Sequence, residues 1–334
     1  MRNKILLINF GGPRSLDEVP VFLKELLTDG DVIRTPLPKF FQDLLFSSIA
    51  KKRSHKIAED YAHIGGKSPI YEDTEWVASM LREMGYDILT FHRYLPQTHA
   101  EFLDRANDFI DEDTVVFPLF PQFSYATTGS IARWMQKNLC RRKSRAMRWV
   151  KSYSEHKSFI ACFVRVIHDF MKTQDLVEQD TLLFFSPHGL PVSYVFQGDT
   201  YKKECERSCY QIMNAFPQAA SVIAYQSQFG KSEWIRPYTS EVAEAIGDWN
   251  QSRQNVLFIP LSFTSDHIET LFEVEQQYLP SVKKAGLQAY RCPAFNRRQD
   301  WVEAISTIIQ DADLVSTQML VRSDKEQCPC RGRS

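Results

Sequence analysis

No apolar run in this chain approaches the roughly 20 residues needed to cross a bilayer as a helix, so no transmembrane helix is expected. No secretory leader is expected either: Met1-Arg2-Asn3-Lys4 leads directly into Ile5-Leu6-Leu7-Ile8 without a cleavage pattern. Both absences predict a cytoplasmic protein. Charge of one sign is lacking, since the 334 residues carry a formal net charge of −1. A nucleic-acid partner would leave a basic footprint over a face or domain, and none is expected here. The one dense basic cluster, Arg141-Arg142-Lys143-Ser144-Arg145, is short and reads as a solvated turn. Paired cysteines are not expected either: Cys140, Cys162, Cys205, Cys209, Cys292, Cys328 and Cys330 are odd in number and scattered, which suits reduced thiols. Finally, the chain has no Walker-type phosphate loop, no dinucleotide fingerprint and no nucleophile elbow.

What is present is a repeated alternation. Short apolar runs at 5–8, 88–91, 114–117, 181–185, 222–225 and 256–261 read as buried parallel strands. Segments of helical composition lie between them, at 73–83, 99–110, 159–171 and 201–215. This predicts an α/β protein made of two Rossmann-like domains, each a mainly parallel sheet flanked by helices, with the ligand cleft between them. The expected spans are 1–150, 151–320 and a polar, cysteine-containing tail at 321–334. No Gly- or Ser-rich linker separates the halves, so they are expected to pack closely. Within the first, residues 33–49 are dense in aromatics (Phe40, Phe41, Phe46) and precede Lys51, Lys52 and Arg53. Such a segment is either an amphipathic helix packed on its domain or an apolar lip that touches a membrane surface or closes over an apolar ligand.

Two strand ends carry candidate chemistry. The run Val256 to Leu261 empties into Ser265-Asp266-His267-Ile268-Glu269, and a helix starting near Asp266 would align Asp266, Glu269 and Glu273 on one face. Acids in a first turn also simply complement the helix dipole. The run Leu182 to Phe185 leads into Ser186-Pro187-His188-Gly189-Leu190-Pro191, a stiff turn that aims His188 at the cleft. His188 and Glu269 together would suit a borderline divalent metal or the uptake of protons. Asn9-Phe10-Gly11-Gly12-Pro13, after the first strand, reads as a tight exit loop that lets backbone approach a flat ligand.

These motifs, with Tyr61 to Ile70 (YAHIGGKSPI), Phe120 to Ser130 (FPQFSYATTGS) and Phe263 to Leu271 (FTSDHIETL), resemble the ferrochelatase (protohaem ferro-lyase) family, bacterial type, along nearly the whole chain. The resemblance implies a chelatase-like fold and insertion of ferrous iron, as substrate, into protoporphyrin IX, with release of two protons. This is the last step of haem biosynthesis. Metal insertion must strip two pyrrole protons and expose nitrogen lone pairs, so bases are needed beside the macrocycle. By resemblance, His188 and Glu269 bind metal and accept protons, their division of labour being open. Asp266 and His267 would orient the pair, and Glu273 would extend an acidic path. Phe10, Arg53, Lys56, Arg93, Tyr94 and Tyr225 match substrate-pocket positions, with Arg53 and Lys56 as partners of the propionates. A plain surface cluster is the other reading of that basic pair.

Departures from the family also bear on function. Phe10 stands where some relatives carry tyrosine or methionine, so it offers no iron ligand, and Tyr225 stands where many carry tryptophan. Tyr125 occupies the place of a cysteine in cluster-bearing animal members, so no iron-sulfur cluster is expected, although Cys328 and Cys330 lie in the tail. The lip favours protoporphyrin collected at a membrane surface, hence a cytoplasmic protein peripheral to the inner membrane. Alternatives are insertion into coproporphyrin III, use of cobalt or nickel by the same fold, and a noncatalytic tetrapyrrole or metal carrier, which would have lost His188 or Glu269.

Overall fold

A computed structural model describes residues 2–230 and 232–322. Cys328, Cys330 and most of the expected tail lie outside the described residues. Among those described, strands β1 (Lys4–Asn9), β2 (Asp87–His92), β3 (Thr114–Pro118), β4 (Arg148–Val150) and β9 (Leu314–Ser316) form one sheet, ordered β2-β1-β3-β4-β9. Strands β5 (Thr181–Phe185), β6 (Ala220–Ile223), β7 (Asn255–Ile259) and β8 (Gln288–Arg291) form the other, ordered β6-β5-β7-β8. Every pairing is parallel except β4 with β9.

Continuous apolar strands are explained by burial on both faces. Ile5 and Leu7 of β1 point into a core shared with Leu183 and Phe185 of β5 and Leu257 and Ile259 of β7. Their neighbours Leu6 and Ile8 face a second core, and Leu182, Phe184, Val256 and Phe258 a third. The shared core holds the helices Ile70–Glu83, Lys157–Thr173, Tyr201–Met213 and Gln299–Asp311 between the sheets. Trp301 is its largest plug, packed on Tyr153, Phe159 and Phe295. One core therefore runs through both halves, as the absence of a flexible linker implies.

All six strands read from the apolar runs are present, and so are the four helices. Three strands carried no comparable signal: β4 and β9 are three residues each, and β8 is four. The expected span 151–320 for the second half does not match sheet membership, because β9 returns to pair with β4 of the first sheet. The five described cysteines are free thiols, four of them buried. No helix among the described residues is long and apolar enough to cross a membrane.

Candidate active site

The carboxyl ends of β1, β3, β5 and β7 open onto one cavity of about 380 Å³ between the two sheets. That volume is within the range of small-molecule sites. Its apolar side comes from Phe10 after β1 and from Phe22, Leu23, Leu26 and Leu27 of the helix Val19–Leu27. This helix starts with Pro20 in its first turn, where a missing N–H costs nothing. The polar side comes from the second half: His188, Ser227, His267, Glu269 and Glu273.

His188 follows β5 in a turn that brings Gly189 N–H to the Gln226 carbonyl at 2.8 Å. A Cβ on Gly189 would lie 2.9 Å from that oxygen and 3.1 Å from the Trp234 ring. Glycine is therefore required here for space rather than for an unusual dihedral. The His188 N–H donates to Ser262 Oγ at 3.1 Å, and its ring Nδ1 lies 2.7 Å from Glu269 Oε2.

Glu269 opens the helix Glu269–Tyr278, which is wound in π turns. Residues four apart share a helix face, and Glu269, Glu273 and Gln277 all line the cavity. Asp266 lies before the helix and is not on this stripe. Its carboxylate accepts bonds from Arg291 Nη1, Thr270 Oγ1 and Asn296 Nδ2, each at 2.8 Å, and anchors the preceding loop to β8 and the chain beyond it. The expectation that Asp266 shares a face with Glu269 and Glu273 is thus corrected. His267 does face the cavity, with Nε2 3.9 Å from Glu269 Oε1.

Ser227 links the two acids. Its hydroxyl is 2.6 Å from Glu273 Oε2 and 3.1 Å from Glu269 Oε2. Ser227 holds φ +64, a left-handed conformation that is strained for a non-glycine residue. Burial alone would raise Glu269, but the charge and hydrogen bond of His188, the His267 imidazole and the Ser227 bond hold it far below the usual carboxylate range. Glu273 is pushed the other way, up to about 7, by burial and then by the charge on Glu269. For His188, burial works downward, yet Glu269 and Glu273 leave its pKa raised. His267 is lowered, chiefly by burial. Two neighbouring carboxylates held apart in acidity, with a hydroxyl between them, form a unit that can store and pass a proton.

Several expected pocket residues are placed elsewhere. Phe10 and Arg53 line the cavity, and Arg53 lies over the Phe229 ring at 4.8 Å. Lys56 is exposed on the same helix, outside the lining. Arg93 pairs with Asp29 at 2.7 Å, and Tyr94 bonds the same carboxylate at 2.9 Å while its ring backs Phe10 at 4.5 Å. Both lie behind the wall because the buried Asp29 claims their polar ends. Tyr225 is 1% exposed and belongs to the core. The aromatic beside His188 is Trp234, centroids 6.2 Å apart, held there where the loop after β6 bridges back to Pro191. Phe40, Phe41, Leu44 and Leu45 do not line the cavity either; they stand exposed on the helix Lys39–His63, while Phe46 and Ala50 pack inward. Sequence reasoning missed Ser227, Trp234, Asp60, which lines the cavity from the helix Lys39–His63, and the helix Val19–Leu27; only the last had a signal, its apolar spacing.

A family model for ferrochelatase matches residues 2–313. The ferrochelatase of Chlamydia abortus is 42% identical over 324 residues, covering 97% of this chain and 100% of that protein. That of Chlamydia pneumoniae is 36% identical over 327 residues, covering 98% of each. Among solved structures, CbiX, described as the terminal enzyme for siroheme biosynthesis in denitrifying bacteria, aligns with a TM-score of 0.52 at 14% identity. It covers 93% of this chain and 99% of that one, a likeness of fold alone. The near-complete family match and the identity to full-length relatives establish that the chain belongs to the ferrochelatase family, enzymes of haem biosynthesis that insert metal into a tetrapyrrole.

Proposed function

We infer that the protein inserts ferrous iron into protoporphyrin IX to form protohaem, with His188 and Glu269 holding the ion and taking up the pyrrole protons. Replacing two N–H protons by one divalent ion releases two protons per turnover, so the site must accept them next to the macrocycle. The observation that carries the reading is the His188 Nδ1 to Glu269 Oε2 contact of 2.7 Å at the polar end of an otherwise apolar cavity. An ionised Glu269 beside an imidazole supplies negative charge for the incoming cation. Glu273, kept near the point of titration by burial, receives protons through Ser227. In this reading Arg53, in the cavity lining, offers the cation to a propionate, Lys56 outside the lining adds little, and His267 supports Glu269 from its other oxygen.

The exposed apolar residues of the lip extend the proposal to location. Phe40 is 74% exposed, Leu44 65% and Phe41 58%, with Lys51 and Lys52 following on the same helix. An apolar patch beside a basic cluster fits the headgroup boundary of an anionic membrane, where an apolar porphyrin collects. The protein then works from the cytoplasmic side as a peripheral enzyme.

The test is direct: purified protein with ferrous iron and either protoporphyrin IX or coproporphyrin III, followed by absorbance of the metallated product. Turnover with protoporphyrin is expected. Faster turnover with coproporphyrin would move the substrate assignment, and no turnover with either would remove the insertion reading.

A further inference from the structure

The two walls of the cavity belong to different halves of the chain, yet one helix start touches both. In the helix Ile70–Glu83, Thr74 Oγ1 receives Asn9 Nδ2 at 2.9 Å, and Asn9 Oδ1 in turn receives the Phe10 N–H at 2.7 Å. The Phe10 wall is thereby tied to Thr74. The adjacent residue, Asp73, receives Ser265 Oγ at 2.5 Å on one carboxylate oxygen and Arg297 Nε at 2.8 Å on the other. Arg297 reaches Glu72 as well, at 3.3 Å. Ser265 begins the loop that ends at Glu269. Among the described residues, two side-chain hydrogen bonds join the 262–268 loop to the first half: Ser265 to Asp73, and Thr264 Oγ1 to the Leu119 carbonyl at 3.1 Å.

Asp73 is 6% exposed, so its charge is carried at a desolvation cost. An acid in a first helical turn gains something from the helix dipole, but that alone requires neither burial nor two partners from the other half. The carboxylate has one oxygen for the active-site loop and one for the Arg297 guanidinium. Its neighbour Thr74 meanwhile fixes the opposite wall.

The geometry points to Asp73, paired with Arg297, as a positioning residue for metal insertion. Through Ser265 it sets the distance between the Phe10 wall and the Glu269 loop, and so the place of Glu269 against a flat macrocycle. This rests on the insertion reading above. Asp73 and Arg297 do not line the cavity, so their effect is on the rate of insertion and not on the capture of porphyrin. Displacing a reacting group by about 1 Å can cost on the order of a hundredfold in rate, and a loosened loop costs less.

The variants Arg297→Ala, Ser265→Ala, Asp73→Asn and the double Asp73→Asn/Arg297→Ala are compared with the full chain for kcat, porphyrin KM and thermal melting. A fall in kcat of about five- to twentyfold is expected in each. Porphyrin KM should stay within about twofold in Arg297→Ala and Asp73→Asn, whose side chains lie outside the lining. Arg297→Lys, which keeps the charge but not the fork, should recover part of the loss. Because Asp73 and Arg297 act as one unit, the double variant is expected to be no slower than Asp73→Asn alone. Unchanged kcat in both Arg297→Ala and Ser265→Ala would overturn the inference. So would losses that add in the double variant, or that match only the fraction of unfolded protein. A wild-type chain that inserts no metal would sink the insertion reading and this inference together, whereas normal wild-type turnover with unaffected variants sinks this inference alone.

Discussion

The two sides of the cavity are made by different means. Helices of the first half, Val19–Leu27 and Lys39–His63, present Leu23, Leu26, Leu27 and Ile57, an apolar surface bordered by Arg53 and Asp60. Loops at the ends of β5, β6 and β7, with the start of the π-wound helix, present His188, Ser227, His267, Glu269 and Glu273. A helix offers a continuous apolar stripe for a large flat ligand, whereas strand ends gather polar groups at one point. The contrast teaches that collecting the tetrapyrrole and handling its protons are separable tasks, so substitutions on one side should leave the other's observable intact.

The largest expected effect is on the polar side. His188→Ala and Glu269→Gln each remove a member of the pair, and loss of a positioned acid-base group costs about a hundred- to ten-thousandfold. We expect kcat to fall by at least about a hundredfold, some 2 to 3 kcal/mol in barrier, while porphyrin affinity measured by fluorescence quenching stays within about threefold because the apolar wall supplies the binding. Porphyrin affinity falling in step with kcat would erase the division between the two sides.

Glu273 gives a smaller effect that sharpens it. With its acidity moved up to about 7, the carboxylate becomes ionised, and able to accept a proton, as pH rises through neutrality. Insertion is expected to accelerate over that range. In Glu273→Gln the acceleration should flatten and kcat should drop about tenfold, at the low end of acid-base contributions. Stability runs the opposite way. The folded state binds a proton that the unfolded chain releases near 4.5, so this contribution is complete below that pH and is lost as pH rises through about 7. Melting temperatures measured from pH 5 to 8 should therefore decline more for the wild type than for Glu273→Gln. Parallel curves would show that Glu273 is not held protonated by the fold.

Much of this contrast could be read from the chain, and unevenly. The strands were legible because burial on both faces makes them uniformly apolar, and His188 and Glu269 because each follows such a run. What stayed hidden depends on where a helix starts or on partners remote in sequence. Glu269 and Glu273 share a face as their spacing implies, but the helix starts only at Glu269 and leaves Asp266 to Arg291, 25 positions away. Arg93 and Tyr94 match pocket positions, yet Asp29, 64 and 65 positions away, turns them inward. Trp234 takes the place expected of Tyr225 because the chain after β6 loops back. Strands of three residues leave no period to detect.

On the apolar side, changing Phe40, Phe41, Leu44 and Leu45 together to serine tests the lip. Each buried apolar side chain contributes about 1.5–3 kcal/mol, so cosedimentation with anionic vesicles should be lost. Turnover of detergent-dispersed porphyrin should remain near wild type, since none of the four lines the cavity. Retained vesicle binding would assign membrane contact, if any, to another surface.

The smallest expected effect separates two cations on one helix. Arg53 lines the cavity and is steadied over Phe229 at 4.8 Å, a contact worth about 0.5–1 kcal/mol at an exposed site. Lys56 lies one turn on, outside the lining, near Asp60. If Arg53 meets a propionate at the mouth, Arg53→Ala should raise porphyrin KM about three- to tenfold without changing kcat, and added salt should shrink the difference because exposed charges are screened. Lys56→Ala should stay within about twofold, as exposed pairs contribute little. A larger effect from Lys56 than from Arg53 would place the propionate outside the observed mouth. The apolar wall would then end one helical turn further out than the cavity lining indicates.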